Sequence, residues 1–203
     1  MNPTLKWLSQ WLGTALVLAI AGVTLTQDLP APQSRADRTT GPIAGPGTAE
    51  DLNLPCTLEP TGFLRGQIFG AVTVAADWTG DGLYCNGMAR PDGRGVRLFF
   101  AHELAGSGRL SIQISIDGPP DKLAGHETPA NVTIIDPSGR FFSSGGFGRC
   151  WTRIDDVRQQ HGASELRIDG IVYCVGALPA IRDAASLTLG DLQFAGRVIV
   201  DAT

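Results

Sequence analysis

Arg109-Leu-Ser-Ile-Gln-Ile-Ser-Ile116 is the stretch that decides the fold class of this chain. Leu110, Ile112, Ile114 and Ile116 recur at every second residue, with Ser111, Gln113 and Ser115 between them. Successive side chains of an extended chain point to opposite faces, so the four aliphatics share one side and the polar groups the other. That is a strand covered on one face; a helix would scatter the same aliphatics around its axis.

Working outward, shorter period-two patterns occur over 95–101, 131–135, 149–154, 165–175, 186–194 and 196–200. Turn-forming clusters separate them: Pro91-Asp-Gly93, Asp117-Gly-Pro-Pro120, Asp136-Pro-Ser-Gly139, Ser143-Ser-Gly-Gly146 and Gly190-Asp191. Only Ala177 to Ala185 has room for a helical turn, and Pro179 limits it. Many short strands with glycine-rich turns predict an all-β domain over 51–203, either an antiparallel sandwich of the jelly-roll kind or a barrel. That span is long enough to bury a single core.

All four cysteines, Cys56, Cys85, Cys150 and Cys174, fall in this domain, and no Cys-x-x-Cys pattern is present. Gly82-Leu-Tyr-Cys-Asn-Gly87 and Ile171-Val-Tyr-Cys-Val-Gly176 share Tyr-Cys-x-Gly, and each has another cysteine upstream. The likeness points to a duplicated, disulfide-stapled strand unit, and among three connectivities it favours Cys56 with Cys85 and Cys150 with Cys174. Disulfides belong to oxidising compartments. The N-terminus agrees: Lys6 precedes an apolar run from Trp7 to Thr26, long enough to cross a bilayer as a helix. Ala19 and Ala21 offer a signal-peptide cleavage site, whereas the apolar residues continuing through Val23 and Leu25 suit a retained signal anchor. Residues 1–26 are therefore a signal peptide or a membrane anchor. Residues 27–50, rich in Pro, Gly, Ala and Thr, form a linker with a root-mean-square span of roughly 25 Å. An exported, periplasmic or secreted protein is expected. The net charge of −4 argues against a nucleic-acid binder, which would carry a basic stripe.

Catalytic patterns are incomplete. His102-Glu103 opens like a zinc-protease helix, but Gly106 stands where the second histidine is needed. His126 and His161 are isolated. Gly106-Ser107-Gly108 lacks the spacing of a nucleophile elbow, and Gly145-Gly-Phe-Gly148 leads into a strand with no helix to receive a phosphate. Adjacent Asp155 and Asp156 read as a charged turn, because neighbours on a strand point apart.

Two features point to binding. Asp77-Trp-Thr-Gly-Asp-Gly82 places oxygen donors Asp77, Thr79 and Asp81 at alternate positions before a glycine; it resembles the opening of an EF-hand loop and the calcium loops of FG-GAP repeats. The resemblance implies calcium, but Met88 occupies the position where an EF-hand carries its closing acid, and a hairpin turn is the competing reading. The aromatics Trp78, Phe100, Phe142 and Trp151 form a candidate ligand surface, since one of two adjacent strand aromatics must face away from the core.

The sequence thus predicts an exported, disulfide-stapled, non-catalytic β-domain that binds a protein or glycan partner of the cell envelope or exterior. Its loops at 118–130 and 143–148 are the recognition elements. The alternatives are a carbohydrate-binding module using these aromatics, with or without structural calcium, and a hydrolase whose residues, such as His102 with Glu103 or Asp81, converge only in space.

Overall fold

The computed structural model describes residues 53–90, 93–160 and 164–200; the apolar segment 7–26, the linker 27–50 and His161 lie outside the described residues. Among the described residues twelve strands follow one another: β1 (Phe63–Gly70), β2 (Val74–Thr79), β3 (Tyr84–Ala89), β4 (Gly95–Leu104), β5 (Gly108–Asp117), β6 (Glu127–Ile135), β7 (Phe141–Ser143), β8 (Cys150–Gln159), β9 (Glu165–Cys174), β10 (Leu178–Pro179), β11 (Ser186–Leu189) and β12 (Leu192–Ile199). Short 3-10 turns occupy Gly80–Gly82 and Pro120–Lys122.

Of the two predicted architectures the chain adopts the barrel. Seven strands close in the order β12-β3-β4-β5-β6-β8-β9 and back to β12. Neighbours are antiparallel except where Ile199 of β12 meets Met88 of β3 in parallel. The other strands make a flap: β1 pairs with β12 through Phe63 to Arg65 and then with β11, while β2 lines the outer edge of β1. β10 extends β11 and touches β7 where Ala180 meets Phe142.

The period-two pattern explains the interior directly. Leu110, Ile112, Ile114 and Ile116 are fully buried on β5, while Ser111, Gln113 and Ser115 face outward. Direct cross-strand partners stack into rows, Leu98 with Ile114 and Val132, and Phe100 with Ile112 and Ile134. Each such side chain contributes about 1.5–3 kcal/mol by leaving water. On the far side glycine makes the room: a Cβ on Gly196 would lie 2.7 Å from the Phe100 ring, so β12 must be bare there for that ring to fill the lumen. Residues 177–185 hold β10 and a turn, with no helix, because Pro179 starts no helix here but pairs with Ser186.

Both disulfides join the expected partners, Cys56–Cys85 and Cys150–Cys174, and no cysteine is free. Their separations of 29 and 24 residues correspond to about 3.5 kcal/mol each in the loop-closure model. The duplication does not carry over. Tyr84-Cys85 begins β3, whereas Tyr173-Cys174 ends β9; Gly87 lies inside a strand, whereas Gly176 is in a turn at φ 89°.

Residues 54–61 form a strap over one end of the outer β9–β12 surface. Cys56 ties it to β3, and Cys56 N–H donates to Leu83 O at 2.7 Å. Arg197 donates to Pro55 O, Arg167 to Pro60 O, and the Gln160 amide exchanges two bonds with the Glu59 backbone. Arg167 is thereby only 2 % exposed although it sits on the outer side of β9. A charge so covered must be paired, and Asp169 receives its guanidinium in a fork at 2.6 and 2.7 Å.

Candidate functional site

The predicted calcium residues fall on a strand and the turn that follows it. Asp77 and Thr79 belong to β2, not to a loop, and Asp77 accepts Arg65 Nε at 2.8 Å; Asp81 sits in the following 3-10 turn. Strands, rather than the helices of an EF-hand, flank Gly80–Gly82. Among the described residues no three His, Cys, Asp or Glu side chains group as metal ligands would.

Three of the four predicted surface aromatics turn inward. Phe100 and Phe142 are fully buried, and Trp78 is buried against His102, with ring centroids 4.5 Å apart and planes 16° from parallel. The reason is strand parity: Val96 and Leu98 already set the core face of β4, so Phe100 follows them in and Phe99 faces out. In the same way Phe142 enters the core and its neighbour Phe141 is the exposed ring. Trp151 keeps its predicted place on the outer face of β8.

His102 is held structurally. Beyond stacking on Trp78, it donates from Nδ1 to the Gly82 carbonyl, while Glu103 pairs with Arg109. Among the described residues no carboxylate is hydrogen-bonded to His102, so the predicted His–carboxylate pair does not form.

Asp155 and Asp156 depart from expectation in an informative way. The β8–β9 register shifts between Ile154 and Asp156, so Asp155 is the extra residue of a β-bulge and Asp156 faces outward opposite Asp169. The bulge puts both carboxylates on the outer surface, Asp155 beside Arg153 and Asp156 against Arg158 at 2.6 Å.

The outer face of β1, β12, β9, β8 and β6 carries the densest decoration. Direct registry sets Arg65, Gln193, Ile171, Arg153 and Glu127 side by side across the five strands. In the next row Tyr173 is opposite Trp151, with centroids 6.2 Å apart and planes within 23°. The Cys150–Cys174 disulfide immediately beside them fixes their register. Tyr173 donates to Glu127 Oε2 at 2.6 Å, and that bond to a carboxylate raises the phenol above its ordinary pKa. A shallow trough of about 280 Å³ adjoins this pair, lined by Phe63, Arg153, Asp155, Asp169 and Gln193.

A second surface forms where the β6–β7 turn meets the β10–β11 turn. Asp136 is buried and knots the first: its carboxylate accepts Ser138 N and Oγ, Arg140 N, and Arg140 Nε and Nη2. Burial pushes this carboxyl up, but the bonds from Ser138 and Arg140 outweigh it and hold it below its ordinary value. The knot fixes Phe141, and Ile181 N–H donates to Phe141 O at 2.9 Å from the opposing turn. Between them lies a cleft of about 400 Å³, walled by Phe141 and Ile181 with Arg140, Arg182 and Asp183 at its rim. Phe141 is 48 % and Ile181 65 % exposed, and Arg182 has no ion-pair partner among the described residues.

Sequence reading missed Tyr173 and Ile181, and of the adjacent pair Phe141 and Phe142 it chose the buried ring. Parity against the core would have found Tyr173 and Phe141; Ile181 lies in a turn, where no periodicity speaks. Compared with known proteins, the chain matches no family model, no curated protein and no solved structure.

Proposed function

We propose that this chain is an exported, disulfide-stapled, non-catalytic β-barrel that binds a protein partner in the cell envelope or outside the cell. The observation that carries the reading is the Phe141–Ile181 cleft. Two large apolar side chains are held in water by a rigid, knotted turn and a backbone bond, beside Arg182, which has no ion-pair partner among the described residues. Covering both would contribute about 2 kcal/mol per side chain. The complementary partner presents an apolar side chain to the cleft and a carboxylate to Arg182.

The two disulfides are consistent with an oxidising, extracellular or periplasmic setting. In this reading residues 1–26 direct export, as a cleaved signal or as an anchor. The role requires no cofactor.

The test is native electrophoresis of envelope complexes containing the full chain or its Phe141→Ser, Ile181→Ser double variant. The wild-type chain should migrate in a complex and the variant alone. Identical migration of the two would count against the cleft as the contact surface.

A further inference from the structure

We propose that the outer face of β1, β12, β9 and β8 is a trough for an uncharged glycan chain, with Trp151 and Tyr173 as its stacking platform. Three observations lead there. The two rings stand in direct cross-strand registry on the outer face and lie near-parallel. Tyr173 is tied through its hydroxyl to Glu127, and the disulfide next to the pair pins the two strands. Near-parallel rings on pinned strands offer apolar faces to the C–H side of a pyranose at low entropic cost.

The trough beside the rings carries planar polar groups suited to hydroxyls, the Gln193 amide and the Arg153–Asp155 pair. Its charges are already engaged. Arg153 is paired with Asp155, Asp169 with the covered Arg167 and with Arg158, and Glu127 accepts the Tyr173 hydroxyl. A site built for an anion or a cation would hold an unengaged charge of the opposite sign, so this arrangement selects an uncharged ligand. The bulge matters here, because it turns Asp156 outward beside Asp155, where it engages Arg158.

Length follows from the strand geometry. Phe63 lies at the other end of the trough from Tyr173, two strands across and four residues along, a separation of roughly 16 Å. This exceeds one sugar ring and fits a chain, with Phe63 as an aromatic contact at the far end.

The experiment measures retention of the full chain on insoluble chitin, cellulose and mannan, with alginate as the anionic control, and titrates the retained case with the matching soluble oligosaccharide. Retention is expected on a neutral polymer and not on alginate. Trp151→Ala with Tyr173→Ala should weaken binding about tenfold or more. Ile181→Ser should bind the glycan like wild type, since the cleft is a separate surface. If the double variant folds poorly, Gln193→Arg fills the trough floor from an exposed position and should cause the same loss. No retention on any of the three neutral polymers, preference for alginate, or unchanged affinity in the folded double variant or in Gln193→Arg would each overturn the proposal.

Discussion

The wall of β4, β5 and β6 and the wall of β8, β9 and β12 have the same kind of inside and different outsides. Both present aliphatics to the lumen at every second residue, Leu98, Ile114 and Val132 on one, Ile154, Ile168 and Val172 on the other. Outside, the first wall bears mainly polar rows such as Arg97 with Ser115 and Asn131, the last accepting a bond from Ser144 Oγ. The second bears a ring pair, a bulge, forked arginines and a strap. The lesson is that barrel closure needs only the inner alternation. The outer positions are then free to differ, and where they depart from short polar groups the chain has a surface for contact.

If the interiors are equivalent, Ile114→Ala and Ile168→Ala should cost alike, about 2–5 kcal/mol each in urea unfolding, since both side chains are fully buried. A large cost on one wall and a small one on the other would break the comparison at its base. The outer surfaces should divide more sharply. Arg167→Met removes the covered partner of Asp169 and the donor to Pro60, and should cost about 3 kcal/mol; Arg153→Ala, at an exposed pair, should cost under about 0.5 kcal/mol. Equal effects would mean that the strap does not bury what it covers.

The pH-dependent effect concerns the β6–β7 turn. Asp136 has a lowered folded pKa, so the unfolded chain takes up its proton first as pH falls. Its contribution is complete above the ordinary carboxylate value and is lost as pH drops through that range toward the folded value. Asp136→Asn should therefore cost about 2 kcal/mol at neutral pH, with the gap to wild type narrowing in acid. A gap that does not change with pH would show that the charge on Asp136 is not what holds the turn.

Much of the β4–β5–β6 wall was legible because its strands are long, alternate cleanly and are closed by glycine turns. β1, β2 and β3 were not. Gly66 and Gly70 interrupt β1, and the Asp77 to Gly82 stretch reads as a cation loop when taken alone, although Arg65 on the adjacent strand already engages Asp77. The sequence boundary after Phe194 was misplaced for a related reason. Gly196 looks like a break, yet it sits in mid-strand, where it leaves space for Phe100 of another strand. The candidate surfaces were hidden by the same nonlocality. Neither the bulge at Asp155 nor the approach of Ile181 to Phe141 has a local signature, because each depends on a strand distant in sequence.

The central claim is that contact is made by the decorated surfaces and not by the plain wall. Its most direct test places a photoreactive side chain at Ile181 or at Arg97 in the full chain and illuminates cells that display it. The account predicts a discrete cross-linked product from position 181 and none from position 97. Products of equal yield from both positions, or from position 97 alone, would contradict it.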